Sequence, residues 1–209
     1  MKIVSLITDL DPAGAERVLT DLVCNLIARG HSCDVVSLMP PPADDCLVDA
    51  LQTAGARVAF LNATKLDVFV LPFLVRYVLQ RFEPEIVHSH MMHANLISRL
   101  ALAGSGVPLV NTIHIADRRR TQGFYFMLDR MTVRKSMALT AVSKAAARWN
   151  AASAPVSAPA PSSAVRNSFR RKISQISNAW HPRTPPAAVS KCPVPFTKGW
   201  RTAAGRKES

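Results

Sequence analysis

The chain has 209 residues, a formal net charge of +12 and a hydrophobic share of 48%, enough for one domain of ordinary size with an appendage. No apolar run reaches the ~20 residues that a bilayer span needs; the stretch from Leu66 to Val78 is broken by Asp67 and Arg76. Residues 1–150 hold 16 Lys and Arg against 13 Asp and Glu, whereas residues 151–209 hold 10 against one, Glu208, so the basicity belongs to the tail and does not mark the whole chain as a nucleic-acid binder.

The chain opens on a short apolar run, Met1 to Leu10, long enough for one strand. Asp9 and Asp11 interrupt it, so it does not read as a signal peptide. Pro12 and Gly14 break regular structure. Apolar residues then recur at Ala15, Val18, Leu19, Leu22, Val23, Leu26 and Ile27, a helical stripe. Strand, glycine turn and helix together leave backbone N–H groups at a helix start, where a phosphate can sit. With Gly14 alone this is not a G-x-G-x-x-G fingerprint.

Gly30 is placed to end that helix. Cys33–Leu38 reads as a second strand, Leu47–Ala54 as a helix ended by Gly55, and Arg57–Leu61 as a third strand. Val68–Phe82 is apolar on most faces and long enough for a helix, with Pro72 in its first turn or at a kink. A fourth strand follows Pro84, Glu85–His88. Met92–Ala103 is a helical stripe ended by Gly104 and Gly106. Pro108–Ile113 is a fifth strand, Gly123–Lys135 a helix and Met137–Val142 a sixth strand, after which Ser143 caps a helix beginning at Lys144.

Strands alternating with helices at this spacing predict a doubly wound parallel sheet, Rossmann-like, covered on both faces. Ligands gather at the carboxyl ends of such strands. Three segments meet that edge: Thr8–Gly14, His88–His93 and Thr112–Arg120. From about Ala151 the chain changes to Ala, Ser and Pro, and eight of its 15 prolines lie beyond that point. Such a composition buries too little apolar area to offset its ordering entropy, so residues 149–209 are expected to be a disordered basic tail, with a short helix near Phe169–Ile176.

The candidate chemical groups lie on the three edge segments. His88 and His90 would share one face of a strand, and His93 follows. Three histidines so close invite zinc, but the His-Glu-x-x-His spacing is missing, so no metal is expected. His114 ends the fifth strand, where it can donate to a sugar hydroxyl or a phosphate. Glu16 suits the positive end of the first helix, and Arg17 can reach a ligand or a neighbouring carboxylate. Arg118–Arg120 could hold an anion, although such a run is more often a solvated loop. No Ser–His–Asp or Cys–His set can be argued, and Cys24, Cys33, Cys46 and Cys192 show no metal spacing and fit a reduced, cytoplasmic setting.

Five of these segments, in order, resemble family 4 glycosyltransferases of the GT-B fold. Asp11-Pro-Ala-Gly-Ala-Glu-Arg17 is similar to their Gly-Gly-Ala-Glu-Arg opening, with Ala13 in place of the first glycine. Arg29-Gly-His-Ser-Cys-Asp-Val35, Pro84-Glu-Ile-Val-His-Ser-His90, the Thr112-Ile-His114 strand end and Ala141-Val-Ser143 follow the same family pattern. The resemblance covers residues 1–148, which it makes one half of a GT-B fold, the N-terminal, acceptor-side domain. It implies a retaining transfer of a sugar from a nucleotide-sugar donor to a glycan or lipid-linked acceptor, as in polysaccharide biosynthesis, with no cofactor and no metal. It also implies that the Gly14 N–H approaches the donor diphosphate, that His114 approaches the transferred sugar, and that His88 and His90 lie near the cleft wall; Glu16, Arg17 and Thr112 are further candidate donor- or substrate-binding residues.

The family's second domain carries a Glu-x7-Glu pair, and residues 149–209 contain a single acid. Val165-Arg-Asn-Ser168 keeps only part of the family's Val-x-Asn-Gly linker. The expectation is therefore a truncated or frame-shifted chain, inactive alone and exposing an apolar face. Alternatives are half of a two-polypeptide transferase, with a separate donor-domain chain, or a binding module whose tail contacts an anion or nucleic acid. Nucleic acid is disfavoured by the lack of aromatic residues among the basic ones. Contact with the cytoplasmic face of the inner membrane is a further expected partner interaction.

Overall fold

The computed structural model describes residues 1–64, 67–114 and 123–143. The arginine run 118–120, the helix expected from Lys144 and the tail lie outside them. Six strands form one sheet, β1 (Lys2–Ile7), β2 (Ser32–Ser37), β3 (Arg57–Phe60), β4 (Ile86–His90), β5 (Leu109–Ile113) and β6 (Ala138–Ala141). Their order is β3-β2-β1-β4-β5-β6 and every pairing is parallel. Five α-helices connect them: α1 (Gly14–Ala28), α2 (Cys46–Thr53), α3 (Leu71–Phe82), α4 (Met92–Ala101) and α5 (Gly123–Thr132). This is the Rossmann-like α/β architecture that the alternating pattern implies.

Each strand sends successive side chains to opposite faces. Ile3 and Ile7 of β1, Val35 of β2, Ile86 of β4 and Val110 of β5 pack with Leu19, Leu22, Val23 and Leu26 of α1 and Leu51 of α2. Val4 and Leu6, Val36, Val87 and Leu109 pack on the other face with Val75 and Leu79 of α3 and Ala94, Ile97 and Ala101 of α4. Burying each large aliphatic stabilises the fold by about 1.5–3 kcal/mol.

Local signals account for most element ends. Gly30 (φ +83°) and Gly55 (φ +100°) end α1 and α2 in the left-handed conformation. In both, the glycine N–H and the next N–H close back on the helix, at 2.8 and 3.1 Å after α1 and at 2.9 Å twice after α2. This paired closure satisfies carbonyls that the helix end would leave orphaned. Several boundaries shift by one to three residues from the sequence reading, and two of the shifts have a clear local cause. α3 starts at Leu71 rather than Val68, because Pro72 lacks an N–H and belongs in a first turn. Asp67–Phe69 instead forms a separate 3₁₀ turn, which the Asp67 carboxylate fixes by accepting from the Thr64 N–H and hydroxyl at 2.7 Å each. β4 continues to His90, beyond the expected end at His88, because Ser89 and His90 pair with Asn111 and Thr112 of β5.

Candidate functional site at the carboxyl edge of the sheet

β1 and β4 are neighbours, yet the chain leaves β1 toward α1 on one face and β4 toward α4 on the other. Connections diverging in this way open a crevice above the sheet, the usual ligand position in such folds. The loops after β1 and β4 meet there. The Asp9 carboxyl is raised above the usual carboxylate range by burial and by Asp11, and is drawn partly back by the Asp11 N–H and the His93 imidazole.

At the start of α1, an added Cβ on Gly14 would meet nothing within 4 Å, so open space lies above the helix end. Glu16 does not face that space freely: it is buried, and its Oε2 has no hydrogen-bond partner among the described residues, although the backbone N–H groups of Glu16 and Ala15 draw the carboxyl partly down. Burial dominates, helped by Asp9 and Asp11, and pushes the carboxyl up to about 7. Arg17 lies on the same first turn, its N–H donating to the Ala13 carbonyl at 3.1 Å.

At the end of β4 and β5 the side chains on the α1 side of the sheet are all polar. His88 Nε2 lies 2.7 Å from Thr112 Oγ1, which lies 2.6 Å from Thr140 Oγ1 on β6. One residue pair higher, His90 Nδ1 lies 3.0 Å from His114 Nε2. The rings stack in order, with centroids 4.3 Å apart for His88 and His90 and 5.3 Å for His90 and His114. His88 and His90 are fully buried, and His114 is half-buried at the open end of the stack.

Burial sets the chemistry of the stack. It lowers His88 to about 3 and His114 to about 4, and holds His90 well below the usual imidazole range, with neighbouring histidines adding to the effect on His88 and His90. All three are therefore neutral at pH 7. A neutral imidazole has one N–H and one lone pair. The His90–His114 bond consequently links the two tautomers: when one ring donates across it, the other accepts and keeps its proton on its remaining nitrogen. His88 Nδ1 and His90 Nε2 have no hydrogen-bond partner among the described residues. Among those residues no three His, Cys, Asp or Glu side chains group as metal ligands.

Between β4 and α4 the chain turns through Met91, which holds φ +71° and ψ 158°. That region is essentially reserved for glycine and costs about 1–3 kcal/mol. The strain sits directly after His90 in the β1–β4 crevice.

The sequence reading overlooked a second buried polar cluster, on the opposite face of the same strands. Arg99 of α4 is completely buried. It pairs with Asp129 of α5 at 2.5 Å, and its Nε donates to Asn111 Oδ1 at 2.7 Å and to Ser136 Oγ at 2.8 Å. The Asn111 amide donates to Ser89 Oγ; Ser89 Oγ donates to Asn95 Oδ1 at 2.7 Å; Asn95 Nδ2 donates to the Thr112 carbonyl at 2.9 Å. The available signal was the run of polar residues at consecutive positions, His88-Ser89-His90 and Asn111-Thr112, which places polar groups on both faces of central strands.

The family model for Glycosyltransferase Family 4 matches residues 12–174. No curated protein matches. Among solved structures, Anabaena HepE in complex with UDP-glucose superposes with TM-score 0.55 at 19% identity, over 83% of this chain and 50% of that one. The lipopolysaccharide outer core galactosyltransferase WaaB, in its apo form, gives 0.55 at 15% identity, over 76% and 43%. A UDP-N-acetylglucosamine 2-epimerase from Rickettsia bellii gives 0.50 at 13% identity, over 83% and 48%. The chain thus spans half or less of the length of each. At such identities the superpositions establish a shared fold, one that serves an epimerase as well as transferases. The family assignment comes from the sequence match, which reaches from the loop before Gly14 past the last strand: this chain belongs to Glycosyltransferase Family 4.

Proposed function

We propose that this chain supplies the acceptor-side wall of a retaining glycosyltransferase cleft. The observation that carries the reading is the neutral histidine stack opening at His114 onto the crevice between β1 and β4. A neutral imidazole there offers either a hydrogen bond donor or an acceptor to a sugar hydroxyl without placing a charge beside the departing phosphate. The space directly over Gly14 is open, a diphosphate there would meet the helix N–H groups, and Arg17 is the cation on that turn. Thr112 holds His88, and His88 backs His90, so these three position the stack rather than touch the sugar.

In this reading the donor is a nucleotide sugar. HepE is solved with UDP-glucose, which makes UDP-glucose the first donor to test. The acceptor is a glycan or a lipid-linked molecule, and the setting is the cytoplasmic face of a membrane. Stabilising the charge that develops on a departing diphosphate needs groups from both sides of a cleft. The donor-side groups belong to a second domain, on this or a separate polypeptide. Purified chain mixed with UDP-glucose is expected to neither hydrolyse it nor transfer glucose to added glycans. Sustained turnover without a partner polypeptide would overturn the half-cleft reading.

A further inference from the structure

Buried polar atoms without a hydrogen-bond partner concentrate on one side of the sheet. Among the described residues they include Ser5 Oγ of β1, Glu16 Oε2 and Thr20 Oγ1 of α1, and His88 Nδ1 and His90 Nε2 of β4. All five residues are buried, at 2% exposure or less. Ser5 pairs with His88 in the β1–β4 register. Ser5, His88 and His90 share the strand face that carries Ile3, Ile7 and Ile86, which is the face that α1 covers. Glu16 and Thr20 lie four residues apart on the buried side of α1, one above the other. Glu16 stands in the first turn of α1, at the carboxyl edge of the sheet, where β4 ends at His90.

A buried donor or acceptor left unmet costs about 1–3 kcal/mol. The groups that meet here are two hydroxyls, a carboxyl oxygen and two ring nitrogens. Water both donates to and accepts from such groups, and in protein interiors it makes about three bonds to them. The charged and titratable groups around this end of α1 are Asp9 and Asp11 on the loop after β1, Arg17 and Asp21 on α1, His93 at the start of α4, and the three histidines of β4 and β5. Burial and, after it, the two loop carboxyl groups raise Glu16, whereas the stacked imidazoles are held neutral. Around neutral pH Glu16 therefore titrates while the stack keeps its charge of zero.

We propose that Glu16, through water held by Ser5, Thr20 and His88, sets which nitrogen of His114 carries its proton. With Glu16 protonated, Oε2 donates to the water and the water donates to His90 Nε2. His90 then donates from Nδ1 to His114 Nε2 across their 3.0 Å bond, and His114 carries its proton on Nδ1, a donor at the open end of the stack. Loss of one proton reverses every bond. The Glu16 proton passes to the water, one from the water to His90 Nε2, that of His90 Nδ1 to His114 Nε2, and that of His114 Nδ1 to solvent. His114 then offers a lone pair at Nδ1, and each imidazole holds one proton in both states. Glu16 is thus a positioning residue for the stack. Its use, donating to a sugar oxygen in one state and accepting from a sugar hydroxyl in the other, rests on the transferase reading. The tautomer change does not.

The test reads the histidine tautomers of the full chain, without donor or acceptor, from long-range nitrogen–proton NMR correlations of isotopically labelled imidazole rings. From about pH 6 to about pH 8.5, wild-type His90 and His114 are expected to change together from the Nδ1–H to the Nε2–H form. The midpoint is expected near pH 7, where the buried Glu16 carboxyl titrates. Glu16→Gln, confirmed folded by its melting curve, is expected to keep one tautomer ratio over the whole range. Thr20→Val, which takes a hydroxyl from the set that holds the water, is expected to shrink the wild-type change by about twofold or more. A wild-type ratio that stays constant over this range would overturn the proposal, as would a change at His114 without one at His90. A change that persists unaltered in Glu16→Gln or, should that variant not fold, in Thr20→Val would also overturn it. Each of these failures leaves the transferase reading standing, because no nucleotide sugar enters the measurement.

Discussion

Two polar clusters lie back to back across β4 and β5, and they are built on opposite plans. On the α4 side, Arg99, Asp129, Asn111, Ser89, Asn95 and Ser136 bond one another and tie α4 and α5 to β4, β5 and the turn before β6, with Arg99 Nη2 alone of these side-chain nitrogens unpartnered among the described residues. On the α1 side, His88, His90 and His114 bond each other and Thr112, yet two ring nitrogens lack partners and the last ring opens to the crevice. A cluster joined mainly to itself holds a sheet in place. A neutral cluster with spare nitrogen atoms and one open end is suited to meet a ligand. Burial alone therefore does not separate structural polar residues from candidate ligand-binding ones; the open end at His114 is what distinguishes the histidine side.

The contrast can be broken most sharply at Arg99. Replacing it by leucine strands the Asp129 carboxylate, while Asn111 Oδ1 keeps the Ser136 hydroxyl as a donor, and is expected to cost about 3–5 kcal/mol in urea denaturation. Adding Asp129→Leu should restore part of the loss, because the uncompensated charge goes too. A loss below about 1 kcal/mol for the single variant would reduce Arg99 to an ordinary surface pair.

The histidine side should show itself through pH. Burial depresses all three imidazoles, so between pH 6.5 and about 4 the unfolded chain binds protons that the folded chain does not. Their contribution is complete above pH 6.5 and is lost as pH falls through that window. Glu16, Asp9 and Asp21 work in the opposite sense, their raised carboxyls favouring the fold at lower pH, with Glu16 the most strongly raised of the three, whereas a lowered His31 adds to the imidazole side. Denaturation at pH 7 and pH 5 is expected to find the pH 5 protein less stable. Equal or greater stability at pH 5 would contradict neutral, buried imidazoles.

The smallest expected effect on stability is at Gly14. An alanine Cβ there has space and Gly14 is not in the left-handed region, so Gly14→Ala should change stability by less than about 1 kcal/mol. The same methyl group would stand in the space assigned to the diphosphate. A large loss of stability would mean that Gly14 is required by the fold and not by the ligand.

The sequence was most informative where one residue type has one local use. Gly30 and Gly55 marked helix ends, Pro72 marked a first turn, and the period-two alternation in β4 put His88 and His90 on one face. It was least informative where tertiary neighbours decide. Arg99 sits within an otherwise unremarkable helical stripe, and only the approach of α5 and β5 makes it a buried ion-pair partner. α3, apolar on most faces, resembles a wholly buried helix in sequence, while its fold position leaves Phe73 and Tyr77 in solvent. The histidine bond between His90 and His114 joins residues 24 apart and follows from the β4–β5 register, which no local pattern encodes.

The most direct test is a titration of the full chain with UDP-glucose, watched through the histidine ring and asparagine side-chain NMR signals. The account predicts that His114 and His90 shift in wild type and shift less in Gly14→Ala, while the Asn95 and Asn111 amides across the sheet stay fixed. Histidine signals that do not move while the Asn95 and Asn111 amides do would contradict it.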